Sequence, residues 1–171
     1  MPISMAYASS KALYEECLLM AAVNAADLLS VRPKMTLDLM RRTGLDDDML
    51  KRLVHDFYDR VRCDPLLGPV FAERVKDWDS HLETMVSFWS SVALMTGRYH
   101  GAPIPKHVPL PVETAHFERW LMLFRATAHD ICPPAGATWV IERAERIAAS
   151  IHISIKEAWR LHDRAGQSSP L

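Results

Sequence analysis

Apolar residues recur along the chain at spacings of three and four, the period of an amphipathic helix. No stretch alternates apolar and polar residues as a half-buried strand would. Leu50, Leu53, Val54, Phe57, Tyr58 and Val61 share one face of a helix predicted over 46–62, capped by Asp46 and acidic in its first turn at Asp47 and Asp48. Trp78, His81, Leu82, Met85, Phe88, Trp89 and Val92 share a face of a second, over 78–96. Phe117, Trp120, Leu121, Phe124 and Ile131 do so over 112–131. Val140, Ile141, Ala144, Ile147, Ala148, Ile151 and Ile155 do so over 138–163. Two further helices are predicted, one over 10–30 with Ser10 as N-cap and Pro33 beyond its end, and a short one from Thr36 to a stop at Gly44. "CDPLLGPVF" (63–71) reads as a turn-rich connection and "CPPAG" (132–136) as a stop. The architecture expected is all-α, with about seven helices and no domain boundary after residue 45.

Composition adds limits. A chain of 171 residues is normally one domain. The net charge of −1 gives no field to draw in nucleic acid or an anionic membrane. Cys17, Cys63 and Cys132 are odd in number and far apart, with no CxxC, which argues against a zinc knuckle or a disulfide framework and favours a reducing compartment. The run "CLLMAAVNAADLL" (17–29) is too short and polar to span a bilayer and lacks the basic start of a signal peptide. A cytoplasmic protein is expected.

Candidate chemistry begins with His81, a polar group on an apolar face. Taken alone it reads as a core histidine satisfied by a backbone carbonyl. Tyr58 and Trp120 raise the same question on two other helices, and the three tips are candidates to converge on one pocket. His107 differs. It lies in "GRYHGAPIPKHVPLP" (97–111), which holds four of the eleven prolines and two of the eight histidines. Prolines at 103, 105, 109 and 111 deny regular helical hydrogen bonding and restrict the backbone, and an imidazole so presented suits metal ligation. The plainer reading is an exposed loop histidine, and His100 has no better claim by composition.

Five ordered blocks carry a resemblance. "LVHDFYDRVRCDPLLGPVF" (53–71), "WDSHLETMVSFWSSVAL" (78–94), "GRYHGAPIPKHVPL" (97–110), "HFERWLMLF" (116–124) and "RAERIAASI" (143–151) resemble, in order and spacing, the blocks of the group III truncated haemoglobins. The resemblance runs from about residue 36 to about 155. It implies a truncated globin fold, a two-over-two helical sandwich around haem, here with an extra N-terminal helix. The division implied is an extension over 1–34, a globin domain over 35–165 and a frayed tail over 166–171.

By the same resemblance His107 is the proximal iron ligand, His81 takes the distal histidine position, and Tyr58 and Trp120 take the polar distal positions. Phe57 precedes Tyr58 as in the family pair, Met85 lines the distal face, and Phe71 packs on the porphyrin with Phe88 and Trp89 behind it. Lys106 or Tyr99 approaches a haem propionate, and His100 stays unassigned. No CxxCH is present, so the haem is non-covalent, b type. The implied partners are O2, NO and CO, with a reductase as electron donor, no nucleic acid, no membrane, and a monomer or homodimer as the assembly. A polar distal pocket suits O2, NO or peroxide redox chemistry better than transport. The alternatives are an NO dioxygenase or peroxidase-like enzyme, and a haem-free helical regulator.

Overall fold

The computed structural model describes residues 31–167, which form seven helices and no strand. They are α1 (31–43), α2 (Asp47–Cys63), α3 (Leu67–Arg74), α4 (Trp78–Leu94), α5 (Pro103–His107), α6 (Thr114–Ile131) and α7 (Pro134–Gln167). The helix predicted over 10–30 lies outside the described residues.

The local signals act where the sequence puts them. Asp46 caps α2, accepting from the Met49 amide at 2.7 Å, and Asp77 caps α4, accepting from the Ser80 amide at 3.1 Å. The predicted face of α2 is the buried one, residue for residue. α2 packs on α3, α4 and α6, and α6 packs on α7. The face predicted for α4 is only half-buried apart from Trp89, and Phe117 and Trp120 of α6 behave alike. These faces front a cavity.

Prolines and glycines mark four departures from the expected elements. Pro33 lies within helix, with residues 31 and 32 before it already helical, rather than in a break ahead of α1. Its fixed φ is itself helical, which supports the turn that follows. The connection expected over 63–71 contains the start of α3, with Gly68 and Pro69 in its first turn. The stop expected over 132–136 shrinks to Cys132 and Pro133, because Pro134 opens α7. The stretch held to be non-helical around His107 contains α5, with Pro103 and Pro105 at its first and third positions. One reason covers the last three cases. First-turn amides have no partner inside the helix, so a proline there forfeits nothing.

Side chains from other helices satisfy the end of α4. Thr36 Oγ1 donates to the Leu94 carbonyl at 2.8 Å, Trp139 Nε1 to Ala93 at 2.9 Å, and Arg143 Nε to Val92 at 3.3 Å. Three successive terminal carbonyls, which no residue of α4 can reach, thereby tie α1 and α7 to α4. The Arg143 guanidinium also lies 3.1 Å from the centroid of the Trp139 ring.

Asp64 fastens α3 to α6. Its side chain is buried. Oδ1 accepts from the Leu66 and Leu67 amides, each at 3.0 Å, and Oδ2 accepts from Arg119 Nε at 2.5 Å. Burial alone raises this carboxyl's pKa, but the Leu67 amide, Arg119 and the Leu66 amide outweigh it and hold it below its ordinary value. A depressed folded pKa gives stability that is complete above the unfolded value of about 4 and is lost as pH falls through the folded one. Asp64→Ala is expected to cost about 2–3 kcal/mol at neutral pH. Urea unfolding as a function of pH should show a flatter acid limb in the variant, and an acid limb identical to the parent's would count against this account.

Candidate functional site

A cavity of about 580 Å³ lies between α4 and the helices α5, α6 and α7. That volume is in the range of small-molecule and cofactor sites. Eight of the nine residues marked from the sequence line it: Tyr58, Phe71, His81, Met85, Phe88, Trp89, His107 and Trp120. Phe57 does not. It is 1% exposed and stands behind the wall, with ring centroids 5.0 Å from Tyr58, 5.0 Å from Trp120 and 5.3 Å from Phe124. Successive helical residues point about 100° apart, and on α2 that step turns Phe57 into the core while Tyr58 fronts the cavity.

α5 delivers His107. Its Nδ1 lies 2.7 Å from the carbonyl of Pro103, one turn earlier. A carbonyl only accepts, so Nδ1 carries the proton and donates. The ring is thereby fixed, and Nε2 is left as a bare lone pair on a side chain that lines the cavity.

α2, α4 and α6 bring three other polar groups to the same space. The Tyr58 and His81 rings meet edge to face at 5.0 Å, and Trp78 flanks His81 at 5.7 Å. His81 Nε2 is buried and has no hydrogen-bond partner. Neither the Tyr58 hydroxyl nor the Trp120 indole N–H hydrogen-bonds to any described residue. Burial raises the Tyr58 phenol well above its ordinary pKa, which keeps it a donor at neutral pH. Burial, then the charges of His107 and Lys106, push His81 below its ordinary value and favour the neutral imidazole. The phenol and the indole are donors with nothing from the protein to receive them, and His81 Nε2 is a third polar atom without a partner.

Other cavity residues carried weaker signals in the sequence. Ile147, Ala148 and Ile151 of α7 line it, and their helical spacing marked an inward face without saying what it faced. Lys106 and Tyr99 both line it, as do Arg74, Lys76 and His116, which no pattern had singled out. His100 instead belongs to a separate shallow pocket with Glu83, Ser87 and Arg98.

An all-helical bundle enclosing an apolar cavity, with one fixed histidine and unpartnered donors, is the arrangement of a globin. The bacterial-like globin family matches residues 39–152, and the chain belongs to it. Within that family it is a group III truncated haemoglobin with the truncated globin fold. It is 30% identical over 115 residues to the group 3 truncated haemoglobin of Campylobacter jejuni, covering 64% of this chain and 91% of that protein. It is 25% identical over 80 residues to the group 2 truncated haemoglobin of Bacillus subtilis, covering 46% and 61%. The crystal structure of the group III truncated haemoglobin from Campylobacter jejuni superposes with a TM-score of 0.62 at 28% identity, covering 65% of this chain and 91% of that one. The protein is thus a haem-binding globin, of a family that binds diatomic gases such as O2. No helix among the described residues is long and apolar enough to cross a membrane.

The two neighbours on α2 should separate in their effect on stability. Tyr58→Phe removes an unpartnered hydroxyl and should leave the apoprotein's unfolding free energy within about 0.5 kcal/mol of the parent. Phe57→Ala empties the core behind the wall and should cost about 3–5 kcal/mol. Urea denaturation measures both, and a loss of about 2 kcal/mol or more for Tyr58→Phe would show that its hydroxyl has a protein partner after all.

Proposed function

We propose that the protein binds haem b non-covalently, with His107 as the residue that would hold its iron and Tyr58, Trp120 and His81 as those that would meet O2, NO or CO. The observation that carries this is the presence on one cavity of a bare Nε2 and three unpartnered polar groups. The residues present fit the group: apolar walls for the macrocycle, one neutral nitrogen for its metal, and donors beyond it. The chain has no CxxCH that would attach the group covalently.

Bound haem supplies an iron with one open position for a diatomic ligand. The chain's residues do the rest. The Pro103 carbonyl holds the His107 proton on Nδ1 and keeps Nε2 available. Tyr58 and Trp120 would offer O–H and N–H to the ligand, and neutral His81 a further ring edge. Trp78 and Phe71 pack edge to face on Tyr58, with ring centroids at 6.1 and 5.8 Å, and hold its ring in place. Each donor is worth roughly 1 kcal/mol, so two together slow ligand escape by about 10–100-fold.

Slow escape suits redox chemistry on O2, NO or peroxide, with a reductase as electron donor, better than transport. The globin domain is assigned to residues 35–165, a reading supported by the family match over 39–152 and by the continuity of α7. A cytoplasmic location fits Cys63 and Cys132, which are both free.

Reconstitution with haem should give a strong Soret band that is lost or shifted in His107→Gly. Stopped-flow O2 dissociation from the ferrous protein should be slow and should speed up roughly tenfold in Tyr58→Phe and again in Trp120→Phe. A fast rate indifferent to both substitutions would refute the donor assignment.

A further inference from the structure

α5 has five residues, far too few to be stable as a helix by itself, so His107 is fixed by whatever holds α5 from outside. Along its side α5 packs on α7. After it the chain turns tightly, with the Leu110 amide donating to the His107 carbonyl at 3.0 Å. Before it run residues 95–102, a strap without helix that joins α4 to α5. The strap turns sharply away from α4, with Met95 and Gly97 both at left-handed φ, 57° and 72°.

Side chains pin this strap. Arg98 gives both ends of its guanidinium to Asp47, the first residue of α2, Nη1 to Oδ1 at 3.0 Å and Nη2 to Oδ2 at 2.6 Å. Asp47 Oδ1 also accepts from Ser90 Oγ of α4 at 3.1 Å. Ser90 Oγ lies 3.0 Å from Thr96 Oγ1, and the serine proton is already given to Asp47, so Thr96 is the donor there. Ser90 is fully buried. An isolated surface ion pair contributes little, but a two-pronged pair tied to a buried hydroxyl is a geometry that does contribute. One residue on, the Tyr99 amide donates to Ser91 Oγ at 2.8 Å, and the Tyr99 ring meets Phe88 edge to face at 5.1 Å. The chain then folds closely over that ring, since a Cβ at Gly101 would run into the Tyr99 phenol. Ala102 and Pro103 follow directly, and the Pro103 carbonyl is the group that orients His107. A continuous line of contact runs from Asp47 through Arg98, Tyr99 and Gly101 to the imidazole.

We propose that Asp47 and Arg98 are positioning residues for His107: their pair pins the strap to the start of α2 and so fixes where α5 presents Nε2. The inference rests on the haem reading given above. Neither residue lines the cavity, so both act only through the strap.

Arg98→Met tests it. Both partners are half exposed, so the variant should fold. In the ferrous haem-loaded protein the iron–histidine stretching band should shift and broaden relative to the parent. The iron–CO stretching band, which senses Tyr58, Trp120 and His81 instead, should stay where it is. Asp47→Asn should move the first band in the same direction. Arg98→Lys, which keeps the charge and loses the fork, should fall between parent and Arg98→Met. In the apoprotein of Arg98→Met, the Val108 and Leu110 amides should exchange with solvent roughly fivefold faster, while the Gly68 amide on α3 keeps its rate. An iron–histidine band that does not move, or that moves together with the iron–CO band, overturns the proposal. A parent that gives no Soret band with haem overturns the haem reading instead, and the exchange of Val108 and Leu110 then decides by itself whether the pair holds α5.

Discussion

A cavity of about 580 Å³ removes packing from the middle of a small bundle, and the fold is organised around bearing that loss. Side chains that front open space have no protein atoms on that side, so their dispersion contacts are missing. The compensation is an aromatic core directly behind the wall. Phe57 packs edge to face on Tyr58, Trp120 and Phe124, while Phe124 stacks on Trp89 at 4.6 Å and on Trp120 at 5.2 Å. Phe57 and Phe124 are each 1% exposed. Tyr58, Trp89 and Trp120 therefore face the cavity with their backs fully supported, and their rings keep their places without a partner in front.

Backbone groups at helix ends act on a second level, as selectors. The Pro103 carbonyl fixes the proton of His107, and the Glu113 amide fixes that of His116, in opposite senses. Both selections come from helix-end chemistry: a carbonyl of the five-residue α5 and an unpaired amide at the start of α6. At the other end of the site, Trp139, Arg143 and Thr36 occupy the last carbonyls of α4, which steadies the helix that carries His81. Groups that a helix cannot satisfy within itself thus become the means by which this bundle sets its polar side chains.

How much of this was legible in the sequence follows from the same physics. The inward faces of α2, α4, α6 and α7 could be read from spacing alone, because burial enforces the helical period. The convergence of Tyr58, His81 and Trp120 on one space was visible only as three polar tips on three faces, and it took the family's ordered motifs to join them. Pro69, Pro134, Pro103 and Pro105 misled the reading of three connections, since a proline at a helix start looks the same in sequence as one at a helix stop. Phe57 was drawn into the site by its neighbour, though on α2 the step from 57 to 58 separates core from cavity. His116 gave no signal, because the bond from the Glu113 amide to its Nδ1 is a matter of backbone geometry.

The polar groups of the cavity are the clearest pointer to ligand chemistry, for an energetic reason. Elsewhere this bundle satisfies its buried polar atoms closely: Thr43 and Thr127 donate to carbonyls one turn back, Ser90 pairs with Asp47 and Thr96, and Asp64 accepts three bonds. Against that background, a buried His81 Nε2 without a partner opposes folding, since shielding a polar atom from water without a bond costs stability. Phenylalanine at 58 and leucine at 81 would serve a purely structural wall better. A chain that pairs its polar atoms elsewhere and leaves them free around one cavity has arranged them for a guest whose own polar atoms complete the set.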